Sequence, residues 1–115
     1  MSTLMYSPQD SIKRAIEYLH SCNYKDYSFE KVAQIANFSP YHFIRVFKAE
    51  VGLTPYEYFI MVKIEAIKEK LADKNLSVSE AFSACGVEYS GHFAAVFRKA
   101  TGMSPSQFRK SLWSK

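Results

Sequence analysis

The side chains most able to do chemistry in this chain are two histidines in matched surroundings, His42 and His92, and two cysteines, Cys22 and Cys85. A zinc site needs three or four ligands at suitable spacing, and a nucleophilic enzyme needs a Ser or Cys beside a His that a carboxylate orients. The sequence shows neither set, and it has no glycine-rich phosphate loop and no C-x-x-C pair. We therefore expect no enzyme, no metal and no cofactor. Each histidine should lie half-buried at a helix contact or near a phosphate, and each cysteine should be a small buried side chain.

Basic side chains are the second chemical feature, because their excess is placed unevenly. The chain carries a formal net charge of +4, and segment 89–115 holds five basic residues and no acidic one. These residues are Arg98, Lys99, Arg109, Lys110 and Lys115. Such a run is often only a solvated surface, but it is also what a polyanion such as nucleic acid binds.

Length and composition limit the class of protein. With 115 residues, 48% of them hydrophobic, the chain can bury a core. No apolar run approaches the ~20 residues that cross a bilayer, and "MSTLMYSPQD" at the start lacks the basic and apolar regions of a signal peptide. We expect a soluble, cytoplasmic protein with no membrane partner.

One sequence pattern occurs twice. The stretch "FSPYHFIRVFKAEVGLTPYEYF" at 38–59 returns in degraded form as "YSGHFAAVFRKATGMSPSQF" at 89–108. An offset of 50 pairs Phe43 with Phe93, and upstream of the turn the offset becomes 49. Two copies are too few for a solenoid, which needs at least about three repeats. We infer two equivalent units on one frame.

Each copy has the pattern of a short helix, a tight turn and a second helix. Ser28 caps the first helix of the first copy, and Ser39 followed by Pro40 begins its second helix. Capping boxes are predicted at 54–57, 77–80 and 104–107. Gly86 suits a left-handed turn between the two helices of the second copy.

The stretch between the two copies predicts a single linker helix. "TPYEYFIMVKIEAIKEKLADKN" has apolar residues three and four positions apart and no interior Pro or Gly, which indicates roughly 18 helical residues over about 27 Å. "SPQD" at 7–10 caps a first helix, and "CNYKDY" at 22–27 is predicted as a loop. The predicted fold is all-α with about seven helices. It has a helix-turn-helix subdomain at 7–53, a linker helix at 54–73 and a second helix-turn-helix subdomain at 74–115.

Two helix-turn-helix units with basic residues near their second helices indicate double-stranded DNA as the partner. The second helix of such a motif enters the major groove, and successive major grooves on one face lie about 34 Å apart. A linker helix can hold two readers at about that separation. We therefore expect that a monomer can span two groove segments of an asymmetric site.

The chain resembles the DNA-binding domain of the AraC/XylS family of bacterial transcription regulators. The residues that carry the resemblance are "SFEKVAQIANFSPYHFIRVFKAEVGLTPYEY", the linker "KIEAIKEKL" and "GVEYSGHFAAVFRKATGMSPSQFR", which together cover nearly the whole chain. The resemblance implies binding of promoter DNA next to RNA polymerase, mostly with activation of transcription.

The resemblance also implies which residues of the first unit contact DNA. Carried over position by position, the base-contacting residues are Pro40, Tyr41, Ile44 and Arg45. Arg45 can donate two hydrogen bonds to guanine O6 and N7, a contact that contributes roughly 1–3 kcal/mol of discrimination. Tyr41 and Ile44 can contact thymine methyl groups or sugars. Ser39 and Lys48 would hold phosphates and fix the register.

The second unit departs from the family pattern on its reading face. The base-contacting positions carried over are Tyr89, Ser90, Gly91 and Ala94, with Ala95 beside them. These side chains predict weak base readout, while Arg98 and Lys99 remain for phosphates. Our hypothesis is that the second unit supplies affinity and shape fit while the first supplies sequence. Phe82, where the first unit has the small Ala33, is predicted to tilt the two helices of the second unit.

Two other functions stay open at this point. The second reading face, where Gly91, Ala94 and Ala95 carry no polar side chain, suits a nonspecific or architectural DNA binder. A helical protein-interaction module is the other alternative, although it leaves the basic segment at 89–115 unexplained. Most members of the family also carry a sensory or dimerising part, so the chain is expected to be either a stand-alone regulator or part of a longer one.

Overall fold

The fold is all-α in the part of the chain that the computed structural model describes, residues 8–114. Seven α-helices occur there, as the sequence predicts. They are α1 (Pro8–Ser21), α2 (Phe29–Ile35), α3 (Pro40–Val51), α4 (Pro55–Leu71), α5 (Val78–Ala84), α6 (Gly91–Thr101) and α7 (Pro105–Trp113). The predicted loop at 22–27 contains a 3-10 turn, Tyr24–Asp26. None of the helices within residues 8–114 has both the length and the apolar character of a membrane span.

The helices belong to two compact units. The first unit comprises residues 8–22 and 26–62, and the second comprises residues 23–25 and 63–114. The boundary between 62 and 63 falls inside α4, so this 17-residue helix contributes to both cores. The predicted limits at 7–53, 54–73 and 74–115 stay predictions, and Ser7 and Lys115 lie outside the described residues.

Side-chain caps determine where most helices begin. The hydroxyl oxygens of Ser28 and Ser39 accept hydrogen bonds from backbone N–H groups three residues later, at 3.2 and 3.3 Å, which confirms these two predicted caps. All three predicted capping boxes are also present, at 54–57, 77–80 and 104–107. Each box satisfies two backbone donors that the start of a helix leaves without an intrahelical partner.

The core of the first unit lies between α1, α2, α3 and the first part of α4. Phe43 and Phe47 of α3 are fully buried and meet edge to face, with ring centroids 5.5 Å apart. Phe47 also contacts Tyr58 of α4, at 5.8 Å. Two small residues, Ala33 of α2 and Ala36 just after it, are fully buried, which lets α3 approach α2 closely.

The core of the second unit uses a larger side chain at the matched position. Phe82 of α5 is fully buried, and its ring lies 5.9 Å from Phe93 and 6.1 Å from Phe97. Its ring also contacts Tyr89, 4.7 Å away. Phe82 therefore fills the centre of the second core, and the tilt expected from its size stays a prediction.

Arg109 of α7 joins three separate parts of the second unit. Its Nε donates to the carbonyl of Leu71 at 2.9 Å, and its Nη2 donates to the carbonyls of Asp73, at 3.0 Å, and Leu76. The guanidinium carbon also lies 4.9 Å from the centroid of the Trp113 ring. Arg109 thus closes the C-terminal end of α4 and the loop after it, so one basic residue of segment 89–115 has a structural partner.

Candidate nucleic-acid interface

One face of α3 presents the residues that the sequence predicts as the reader of the first unit. Tyr41, Ile44, Arg45 and Lys48 follow helical spacing, so they share the side of α3 opposite Phe43 and Phe47. Tyr41 is 75% exposed, and Arg45 and Lys48 are exposed as well. Pro40, the first residue of the helix, is also exposed. An arginine and a lysine one turn apart on an open helix face can reach a base edge and a phosphate together.

Ile44 differs from its neighbours because it is half-buried. It lines a shallow apolar groove of about 300 Å³ with Tyr27, Phe29 and Tyr56. The ring of Tyr27 in this groove stacks on Phe59, with centroids 4.9 Å apart, and burial raises the pKa of the Tyr27 hydroxyl to about 12. Only part of the Ile44 side chain is therefore available to a ligand.

The matching face of α6 carries almost no functional groups. Gly91 has open space where a Cβ would be, Ala94 is half-buried and Ala95 is exposed. Arg98 and Lys99 are exposed in the last turn, where a positive charge also interacts favourably with the helix dipole. A donor-bearing side chain therefore first occurs on this face at its C-terminal end.

Tyr89 and Ser90 have structural partners that the sequence did not reveal. The Ser90 hydroxyl caps α6 by accepting a hydrogen bond from the backbone N–H of Phe93, at 3.3 Å. Tyr89 is 39% exposed, but its ring packs against Phe82. Both residues remain at the surface beside the start of α6, with part of their bonding capacity already used.

The two histidines are exposed, which corrects the expectation that they are half-buried. Each lies in the first turn of its helix. His42 meets the ring of Phe38 edge-on, with centroids 5.1 Å apart, and His92 Nε2 lies 3.3 Å from the Tyr24 hydroxyl. No group of three His, Cys, Asp or Glu side chains within residues 8–114 is placed to hold a metal ion.

The cysteines only partly follow the expectation of burial. Cys22 is buried, whereas Cys85 is half-buried. Burial raises the pKa of the Cys85 thiol, which keeps it in the less reactive protonated form at neutral pH.

One cluster of contacts beside α6 was not predicted from the sequence. Tyr24 and Lys25, predicted as part of a plain loop, belong to the second unit, where Tyr24 contacts Phe93 and His92. No local signal could have found these contacts, because they join residues more than 60 positions apart in sequence.

Two helix-turn-helix units, each presenting the outer face of its second helix, define the class as a double helix-turn-helix DNA-binding domain. A family model described as a helix-turn-helix domain matches residues 32–111. The chain belongs to this family, the AraC-type helix-turn-helix domains. The matched family is a DNA-binding module of transcription regulators, which is not typically enzymatic.

Individual proteins show the same relationship. The chain is 32% identical over 94 residues to the bifunctional transcriptional activator/DNA repair enzyme AdaA of Bacillus subtilis (strain 168), which covers 82% of this chain and 44% of that protein. It is 34% identical over 94 residues to the MmsAB operon regulatory protein of Pseudomonas aeruginosa, covering 82% of this chain and 29% of that protein. The chain thus spans less than half the length of these curated relatives.

Solved structures share the fold over most of the chain. The C-terminal domain of AraT, a response regulator from Geobacillus stearothermophilus, is similar with a TM-score of 0.78 and 29% identity, covering 88% of this chain and 84% of that one. The DNA-binding domain of the global transcriptional factor AdpA, solved in complex with a target DNA, is similar with a TM-score of 0.74 and 25% identity, covering 90% of each chain.

Proposed function

We propose that this chain binds double-stranded DNA at specific sequences and regulates transcription, with α3 and α6 entering the major groove. The observation that carries the proposal is the open face of α3, where Tyr41, Arg45 and Lys48 are exposed opposite a fully buried aromatic face. The helix-turn-helix family to which the chain belongs and the DNA complex of the similar AdpA domain support it.

The residues of the first unit divide into base contacts and phosphate contacts. Arg45 donates to guanine in the major groove, and Tyr41 and Ile44 contact thymine methyl groups or sugars beside Pro40. Lys48 binds a phosphate as a point charge. The Ser39 hydroxyl accepts from His42 N–H, so its own proton stays available to donate to a phosphate oxygen.

The second unit contributes affinity and shape fit more than base readout. Arg98 and Lys99 bind phosphates, and this term is largely independent of sequence. With no side chain at Gly91 and only methyl groups at Ala94 and Ala95, the backbone of α6 can approach the groove closely. Tyr89 and Ser90 flank this approach as the remaining predicted contacts.

The wider assignment follows from the same arrangement. One chain with two unequal readers can occupy two adjacent groove segments of an asymmetric promoter site as a monomer. Regulation next to RNA polymerase in the bacterial cytoplasm, by activation, agrees with the name of the relative AdaA, a transcriptional activator. An architectural role is the second candidate, because the α6 face offers little for base discrimination.

Selection of bound duplexes from a random pool of about 30 base pairs at ~150 mM salt tests the proposal, with wild type, Arg45→Ala and Lys13→Ala compared. Lys13 is an exposed lysine of α1, a helix that carries none of the proposed contacts. Support is an asymmetric consensus of two blocks about one helical turn apart, the first of which disappears only in Arg45→Ala. Binding without any enriched sequence would favour the architectural role, and no retention of DNA would favour a protein-interaction role.

A further inference from the structure

A cleft of about 480 Å³ opens in the second unit beside the first turn of α6. Its walls include Lys25, Glu88, Ser90 and His92, with Phe93 behind them. Ser90 and His92 belong to the end of α6 that the proposed function places in the major groove. A cation in this cleft therefore lies next to the path of the DNA backbone.

Residues 23–25 come from the connection between α1 and α2, but their contacts are with the turn and helix of the second unit. The backbone N–H of Tyr24 donates to the carbonyl of Gly86 at 2.9 Å. The Tyr24 ring meets Phe93 edge to face, with centroids 5.0 Å apart, and its hydroxyl lies 3.3 Å from His92 Nε2. These contacts fix the backbone next to Lys25 in the wall of the cleft.

Gly86 allows this close approach. Its φ of +77° suits glycine, and a Cβ there would lie 2.4 Å from the Asn23 side-chain oxygen and 3.3 Å from Asn23 Cα. The matched turn of the first unit has Asn37, whose φ is +66°. Both turns are thus left-handed, but only the second has the residue without a side chain, at the place where Asn23 packs against it.

The cleft supplies a cation where the α6 face has none. Gly91, Ala94 and Ala95 offer no charged group in the first turns of α6. Lys25 is exposed, and no hydrogen bond or ion pair holds its ammonium group within residues 8–114. Glu88 also lines the cleft, so its carboxylate weakens the attraction of Lys25 for an anion.

We propose that residues 23–25 form a DNA-contacting arm of the second unit, in which Lys25 binds a backbone phosphate beside the start of α6 while Tyr24 anchors the arm. The inference rests on the proposed function and adds to it a contact that neither recognition helix supplies. Such a contact positions the second unit on the duplex without reading bases.

The proposed contact is electrostatic, so each variant should change the DNA affinity in a predictable direction. Removal of one phosphate contact reduces the slope of log K against log salt by about one and weakens binding about fivefold at ~150 mM salt. Lys25→Ala should show this loss on the selected site and on unrelated duplexes alike. Glu88→Gln should tighten binding, because it removes a negative charge facing the same phosphate. Lys13→Ala is the matched control for the loss of one exposed lysine.

Tyr24 variants separate the anchor from the charge. Tyr24→Ala removes the ring that packs on Phe93, so it should weaken DNA binding as much as Lys25→Ala does. The double variant should bind no more weakly than Tyr24→Ala alone. Tyr24→Phe keeps the ring and the backbone N–H, and it should bind within about twofold of wild type, since only an exposed hydrogen bond is removed. Fluorescence of Trp113, the one tryptophan of the chain, reports whether the second unit of each variant is folded.

A salt titration tests the proposed contact of Lys25. It measures the affinity of each variant for a labelled duplex at salt concentrations from ~50 to ~300 mM. Equal slopes for Lys25→Ala and Lys13→Ala, or weaker binding of Glu88→Gln, would overturn the arm while leaving wild-type binding and the proposed function intact. Additive losses for Tyr24→Ala and Lys25→Ala would overturn the anchoring. Absence of DNA binding by wild type would overturn the proposed function, and the arm with it. If Tyr24→Ala fails to fold, the Lys25 and Glu88 variants still test whether the arm contacts DNA, because both residues are exposed.

Discussion

Substitution of Arg109 tests how its hydrogen bonds stabilise the second unit. Although it belongs to the basic segment 89–115, its guanidinium donates to the carbonyls of Leu71, Asp73 and Leu76 and contacts Trp113. Arg109→Met keeps an unbranched, largely aliphatic side chain that is shorter by about the guanidinium group, and it removes all three donors. We expect this variant to lose stability and to keep its phosphate contacts.

The size of the loss follows from the hydrogen bonds. A hydrogen bond with a charged donor contributes about 1.5–3 kcal/mol, but these three share one half-buried guanidinium and are not additive. We expect the free energy of unfolding to fall by about 3 kcal/mol, which for a chain of this length lowers Tm by roughly 10–15 °C. Arg109→Lys should recover less than half of the loss, because one ammonium group cannot reproduce a planar fork of donors.

Circular dichroism during thermal and urea unfolding measures the stability, and a salt titration of DNA binding well below the transition measures the contacts. Lys110→Met, at the neighbouring exposed position, is the matched control and should change stability by less than about 0.5 kcal/mol. A stability loss for Arg109→Met no greater than that of the control would refute the structural role. A drop of about one in its salt slope would show instead that Arg109 contacts a phosphate.

Two further predictions concern the core and a helix cap. Phe82→Ala should destabilise the chain by about 3–5 kcal/mol because it empties a fully buried ring site, whereas Phe82→Leu should cost less than half as much; urea unfolding compares the two. Hydrogen bonds from Thr54 lower the pKa of the Glu57 carboxyl, so their contribution is present above the ordinary pKa of Glu and is lost as pH falls through the folded-state value. Glu57→Gln keeps an acceptor for the capping box, and it should flatten the fall of Tm as the pH drops below about 5.

The helix boundaries could be predicted because local chemistry fixes them. Each of these caps, at Ser28, at Ser39 and in the three capping boxes, depends on residues within four positions of one another. Such local motifs can be predicted from a single sequence. The repeat identified the buried faces of α3 and α6 in the same way, since an apolar side chain at helical spacing has one side on which to pack.

Contacts between distant segments could not be read in this way. Nothing local in "CNYKDY" indicates that Tyr24 packs on Phe93, and nothing in the last helix indicates that Arg109 closes the end of α4. The partial burial of Ile44 could not be predicted for a similar reason, because its groove is completed by aromatic side chains of two other helices and a loop. The exposure of the histidines was misjudged because matched aromatic neighbours in sequence do not show which side of the first turn faces solvent.

The second helices of the two copies have diverged mainly at positions outside the buried aromatic core, and packing explains why. Phe43 and Phe47 of α3 have phenylalanine partners in α6, Phe93 and Phe97, and all four rings are fully or almost fully buried, where a change of volume costs stability. The outer positions touch little within the unit, so they can change with little effect on folding. Arg45 in one copy and Ala95 in the other are the result of that freedom. A duplicated frame can thus assign base recognition to one unit and phosphate contacts to the other, provided that the second unit also has a cation near the start of α6. The arm at residues 23–25 supplies that cation, and this division of labour requires Lys25 to affect all DNA sequences equally while Arg45 affects only one block of the site.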